Sequence, residues 1–224
     1  NLDVIETDWL KELFTNSGLM QNHNIQVSTS TDKINLLTSF SYLKQEGLIP
    51  NSSFEKYDIR INPEFKINDK FSLVSVLGYN SNKTVNPSTG SAEFIIRQAI
   101  GLPAIGAGKF GPGMYGNAAQ SNNRNPLAMA EAAGTSVVNG STMLTRFGFN
   151  YKPITGIEIE AYWGRQASNP YTKSFVKNAD IYQPNIATGG YSFVGTWPGT
   201  TSLSESYTNN VYKTYLGQAT YTKR

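Results

Sequence analysis

The sequence predicts an all-β chain that forms part of a transmembrane antiparallel β-barrel, with short helices in its extracellular loops. Three observations carry that reading. The strands are long and two-faced, the connections between them alternate short and long, and aromatic residues gather near both strand ends. The stretch around Tyr57–Ile67 shows the first feature. Tyr57, Ile59, Ile61, Phe65 and Ile67 share one parity, and Asp58, Arg60, Asn62, Glu64 and Lys66 the other. Side chains of a strand alternate between faces, so one face is apolar and the other polar and charged. A soluble sheet can alternate in the same way, so length decides more than pattern. The run spans about 11 to 13 residues, where soluble strands average roughly 5–6 and a tilted transmembrane strand needs about 9–11.

From the N-terminal side, ETDWLKELFT at 6–15 reads as a short amphipathic helix capped by Thr7 or Asp8. Strands follow at 22–30 and 34–45, joined by the tight turn Thr31-Asp32-Lys33. A polar loop with Gly47, Pro50 and Asn51 leads to the third strand, and the turn Asn68-Asp69-Lys70 leads to a fourth at 71–82. There Phe71, Leu73, Leu77 and Tyr79 align, while Val74 and Val76 break the pattern. The segment 83–140 is rich in Gly, Asn, Ala and Pro, with short helices expected near Phe94–Ile100 and Pro126–Ala133. A fifth strand at 141–152 places Met143, Phe147, Phe149 and Tyr151 opposite Leu144, Arg146, Gly148 and Asn150. A turn from Pro153 to Gly156 opens a sixth at 157–167, where Ile157, Ile159, Ala161 and Trp163 alternate with Glu158, Glu160 and Tyr162. A second long segment, 168–208, precedes a seventh strand at 209–222 with Tyr215, Gly217, Ala219 and Tyr221 on its apolar side.

Long loops at every second connection are the habit of outer-membrane barrels, whose periplasmic turns are short and extracellular loops long. Tyr42, Tyr57 and Tyr79 fall toward the long-loop ends of their strands, and Phe65, Phe71, Tyr151 and Tyr221 toward the short-turn ends. Two such belts are expected where rings sit at both water–lipid boundaries. Seven strands do not close a barrel, so the chain is expected to be a fragment of a larger barrel or one of several chains closing one together. The first strand descends to a periplasmic turn, which puts 1–21 in an extracellular loop and leads us to expect an ascending strand before Asn1.

The chain has no Cys, one His, 20 Gly, 13 Tyr and a formal charge of +3. Disulfides and thiolate chemistry are excluded, and no basic stripe suggests nucleic acid. No run of about 18 apolar residues would make a transmembrane helix, a test that barrel strands escape. The N-terminus lacks the charged and apolar regions of a signal peptide.

The segments TDWLKELF at 7–14, QNHNIQVS at 21–28, TDKINLLTSFSYLKQEGLIPNSSFEKYDIRIN at 31–62 and KINDKFSLVSVLGYN at 66–80 resemble the barrel start of SusC/RagA-type TonB-dependent transporters. The resemblance is strong over about 6–82 and continues to the end as strand-and-loop rhythm. Ser28-Thr29-Ser30 departs from the small Gly-containing turn usual there. It implies a 22-stranded outer-membrane barrel with an N-terminal plug, driven by TonB and paired with a SusD-like surface lipoprotein that captures glycans or peptides. On that basis the chain covers roughly the second to eighth strands, and plug and remaining barrel are absent from it.

Catalytic constellations fail on inspection. His23 stands alone, which rules out a histidine pair or HExxH zinc site. Gly108-Lys109 is followed by Phe110, and Pro103 stands where a phosphate loop needs its first Gly. Glu158 and Glu160 lie two apart on one strand face; they are expected to line the interior, with Arg146 or Arg60 available for pairing. The Asn-x-Ser/Thr matches at Asn51, Asn82 and Asn139 are chance occurrences in a bacterial outer-membrane setting. No cofactor, metal or enzymatic activity is therefore expected.

The residues expected to face the plug or lumen are Asp58, Arg60, Glu64, Arg146, Glu158 and Glu160, and those expected to face lipid are Ile59, Ile61, Phe147, Phe149, Ile159 and Trp163. In 168–208, aromatics among small polar residues, notably Tyr191, Phe193 and Trp197, suit stacking on substrate or burial against a partner. The function expected is import of an oligosaccharide or peptide. The alternatives are a structural barrel subunit of a secretion or surface complex and a soluble all-β carbohydrate-binding module.

Overall fold

The structure, a computed structural model, describes residues 6–15, 17–118 and 124–223; residues 1–5 and 16 of the N-terminal segment lie outside them. A short helix, α1 (Trp9–Leu13), is capped by the Asp8 side chain, which accepts from the Lys11 amide. Four strands follow: β1 (Met20–Ser30), β2 (Ile34–Glu46), β3 (Ser53–Asn68) and β4 (Phe71–Pro87). The next connection holds α2 (Ala92–Gly101), the short strands β5 (Lys109–Gly111) and β6 (Met114–Gly116), and α3 (Pro126–Glu131). The chain then forms β7 (Gly134–Tyr151), β8 (Ile157–Ser168) and β9 (Tyr171–Val176), a hairpin of β10 (Ala179–Asn185) and β11 (Gly190–Trp197), and finally β12 (Ser202–Tyr207) and β13 (Asn210–Tyr221).

The long strands form one antiparallel wall in the order β1-β2-β3-β4-β7-β8-β13. Sequential strands joined by tight turns lie side by side, as hairpins require. Strand β9 carries on where β8 stops, pairing with Gly134–Asn139 of β7 after β8 has paired with Thr142–Tyr151. Strand β12 pairs with β9 as β13 does with β8. Two nearly continuous strands, broken only at 169–170 and 208–209, thus rise in turn, β8/β9 alongside β7 and β13/β12 alongside β8/β9.

The wall is taller than the alternation suggested. The pattern ended the fourth strand near residue 82 and began the fifth near 141, yet β4 runs to Pro87 and β7 starts at Gly134. The segment given as the loop 168–208 contains β9 to β12. Periodicity of two is legible only where the faces meet different solvents. Asn80–Asn86 and Gly134–Gly140 carry polar residues on both faces, so they keep the ladder while losing the pattern.

The wall is a single layer, and no second sheet covers it among the described residues. Phe147 stays 52 % exposed and Tyr79 47 %. In the soluble sandwich held as an alternative those side chains would be packed inside. The main core lies in the connections. Trp9, Leu13, Ile49, Ile95, Leu127, Met129 and Ile181 are buried together there, drawn from α1, α2, α3, β10 and the β2–β3 loop. A four-stranded sheet, β11-β10-β6-β5, backs this cluster, with β10 parallel to β6.

Candidate functional site

Cross-strand partners share a face, so the register sorts the wall into two surfaces. Asp58 opposes Asn80, Arg60 opposes Gly78, and Glu64 opposes Val74, which opposes Gly148. Arg146 opposes Val76 and Gly164, Glu160 opposes Asn150 and Gln218, and Glu158 opposes Thr220. All six charged residues fall on one face. Val74 and Val76, which broke the pattern in sequence, are apolar members of this polar surface. Its side chains form short links: Asn35 Nδ2 donates to Glu64 at 2.9 Å, Asn80 Nδ2 donates to Asp58 at 2.8 Å, and Lys56 pairs with Asp58 at 2.6 Å.

The expected partnering of Glu158 and Glu160 with Arg146 or Arg60 is not what forms. Lys152, just beyond the β7 end, reaches Glu158 at 3.1 Å. The Arg146 guanidinium lies 4.4 Å from the centre of the Tyr162 ring. Its opposite residue Gly164 has no side chain, so the guanidinium leans onto the neighbouring aromatic face.

The opposite face carries Ile59, Ile61, Phe147, Phe149, Ile159 and Trp163. Near the loop ends Tyr42 and Tyr57 meet at 4.8 Å and both donate to Glu55, with His23 lying parallel to Tyr42 at 6.2 Å. Near the turns Phe71 lies 5.8 Å from Phe149 and 6.2 Å from Tyr151. Phe147 stacks with Trp163 between those levels at 6.3 Å. From Tyr57 to Phe65 the chain rises about 26 Å along the strand, or about 20 Å at the tilt of a barrel strand, comparable to an apolar band about 25 Å tall.

The connections build a platform above the wall. Asn125, fully buried, holds it together through four bonds. Its Nδ2 donates to the carbonyls of Gly108 and Gly116, both at 2.8 Å, while its Oδ1 accepts from the amides of Leu127 and Ala128 as the cap of α3. Thr7 Oγ1 donates to the Gly106 carbonyl and accepts from the Gly108 amide. Asn51 Nδ2 donates to the Ala130 carbonyl at 2.8 Å, tying the β2–β3 loop to α3. Glu131 pairs with Lys109 and accepts from the Tyr115 hydroxyl at 3.1 Å. Burial and the neighbouring Glu131 carboxylate push the Tyr115 phenol well above its ordinary pKa. The sequence points to Thr7 only as a cap, to Gly108 and Lys109 only as a failed phosphate loop, and not to Asn125, although Asn125-Pro126 before an apolar helix has the form of a cap followed by proline at the first helical position.

Of the three loop aromatics, Tyr191 stacks on Phe110 at 4.2 Å and remains 51 % exposed, and Phe193 meets Tyr182 edge-on and remains 56 % exposed. Trp197 packs against the buried cluster and donates bulk to the platform.

No protein-family profile matches the chain. The TonB-dependent receptor P3 of Formosa agariphila is 24% identical over 208 residues, covering 90% of this chain and 20% of that protein. Two solved structures share its fold. One, of the RagAB peptide transporter, gives a TM-score of 0.66 at 16% identity, covering 96% of this chain and 23% of that one. The other, of the RagAB peptide importer in the "closed-closed" state, gives 0.63 at 18% with the same coverage. The fold is that of a section of a SusC/RagA-type TonB-dependent transporter barrel. The chain spans about a fifth of the curated relative and under a quarter of the RagAB chains, and its wall has β1 and β13 as its edges.

Proposed function

We propose that the protein to which this wall belongs imports a nutrient, an oligosaccharide or peptide, across the bacterial outer membrane, drawing energy from TonB and working with a SusD-like surface lipoprotein. The observation that carries the reading is the two-sided single-layer wall. One side is a hydrogen-bonded polar surface suited to a plug or aqueous path, and the other an exposed apolar band framed by aromatics. Asp58, Arg60, Glu64, Arg146, Glu158 and Glu160 then face inward, and α1 and the platform face outside. On this reading the exposed rings of Tyr191 and Phe193 meet substrate or lipoprotein. The mechanism is capture, gating and passage, with no covalent step. Deleting the gene from its native host should abolish growth on, and uptake of, one class of oligosaccharide or peptide. Purification in detergent should recover a surface lipoprotein in stoichiometric amount. Unchanged uptake of every oligosaccharide and peptide supplied would overturn the reading.

A further inference from the structure

Arg165 and Lys213 stand directly opposite one another on adjacent strands, β8 and β13. Their row continues through Thr145, Leu77 and Ile61, so both belong to the apolar face and not to the polar one. Like charges directly opposite in a sheet repel. Among the described residues no carboxylate forms an ion pair with either, and Glu158 and Glu160 project from the other face. The next side chains toward the turns are Trp163 and Tyr215, with Phe147 beside Trp163; those toward the loops are Ala167 and Val211, with Met143 beside Ala167.

The height of the pair follows from the register. The row through Leu73, Phe149, Ala161 and Gly217 begins at Phe65 and Ile34, the first residue of β2, and meets β13 well inside its end. Rows therefore climb away from the turns between β2 and β13, as they must in a barrel of tilted strands. The Arg165–Lys213 pair accordingly stands as far above the turn ends of its strands as Tyr42 and Tyr79 stand above theirs, at the loop-side boundary of the apolar band.

Resting on the outer-membrane reading above, we propose that Arg165 and Lys213 together hold a phosphate of an outer-leaflet glycolipid. The guanidinium fork and the ammonium present donors from two strands to a single oxyanion, which removes their mutual repulsion. The acyl chains then run toward the turns over Phe147, Trp163 and Tyr215. Phosphate at this depth belongs to a lipid headgroup, and the outer leaflet's headgroups are phosphorylated sugars.

The test uses the intact protein, extracted from outer membranes, stripped of lipid and examined by native mass spectrometry. The probes are purified lipid A, its enzymatically dephosphorylated form, and phosphatidylglycerol. Wild type should retain lipid A in preference to both others, and the double variant R165Q/K213Q should retain it about tenfold less or weaker still. The charge-preserving R165K/K213R should keep binding. Equal retention of dephosphorylated lipid, equal retention of phosphatidylglycerol, or undiminished binding by R165Q/K213Q would overturn the proposal. Membrane fractionation and uptake by the same variants separate the two readings. A protein that inserts and imports but ignores lipid A sinks only this inference, whereas one recovered in the aqueous fraction sinks both.

Discussion

Asn125 lets one amide do the work of a small linker: it caps a helix with its oxygen and clasps two loop carbonyls with its nitrogen. Asn125→Ala should weaken the platform by about 2–3 kcal/mol, because a cap is lost and two carbonyls are left without a donor. Asn125→Asp is expected to be comparably harmful although it can still cap, since a carboxylate would face those carbonyls with no proton to give. Hydrogen exchange at the Leu127 and Ala128 amides of the intact protein would read both. Tyr115 offers a pH test. Its phenol is held above the ordinary value of about 10 by burial beside Glu131, so the folded state retains a proton that the unfolded state gives up. The stability it contributes is fully present below about pH 10 and is lost as pH rises through the raised value. Proteolysis of 103–131 should therefore accelerate in alkali, and Tyr115→Phe should remove that alkaline step.

Among the elements, β7 is the spine, running from the turn at the base of the wall to the platform. Gly134 at its upper end has φ +88°, and a Cβ there would sit 1.9 Å from the Phe175 carbonyl oxygen. Gly134→Val should unpair β9 from β7. Gly189, with φ +68° and open space around its missing Cβ, isolates the conformational penalty alone, about 1–2 kcal/mol for Gly189→Ala. Thermal unfolding of the two variants side by side should show the first to be far worse. What the sequence disclosed about these elements follows solvent. Ile59, Ile61, Phe147 and Trp163 announced their strands because one face of the wall is apolar and the other polar and charged. The upper reaches, Ser81–Pro87 and Gly134–Gly140, carry polar residues on both faces, and nothing in their composition marks the ladder. The platform was illegible for a different reason. Its core joins Trp9, Ile49, Ile95, Leu127 and Ile181 from the segment before β1 and three separate connections, and no local pattern encodes contacts of such separation. The polar surface was legible in membership and illegible in pairing, since Arg146 turns to Tyr162 only because its opposite residue is Gly164.

For the whole molecule, the decisive test is whether its two faces meet different media. Phe147→Arg places a charge on the apolar side near mid-wall and should destabilise the folded barrel in lipid by about 2–4 kcal/mol. Gln218→Arg, on the polar side, should change stability far less; urea unfolding in vesicles would compare them. Equal tolerance of both would mean that the faces are not what they are taken to be.

The near-continuous rise of β8 into β9 and of β13 into β12 has a mechanical corollary. At the head of β7 the Ala133 carbonyl takes the Lys177 amide and the Gly134 carbonyl takes that of Ser88, so the stonework above is mortared to the masonry below. This sector of the rim is a parapet and not a trapdoor: on the transporter reading proposed above, a lid hinged in this arc would first have to break those two bonds and the β7–β9 ladder.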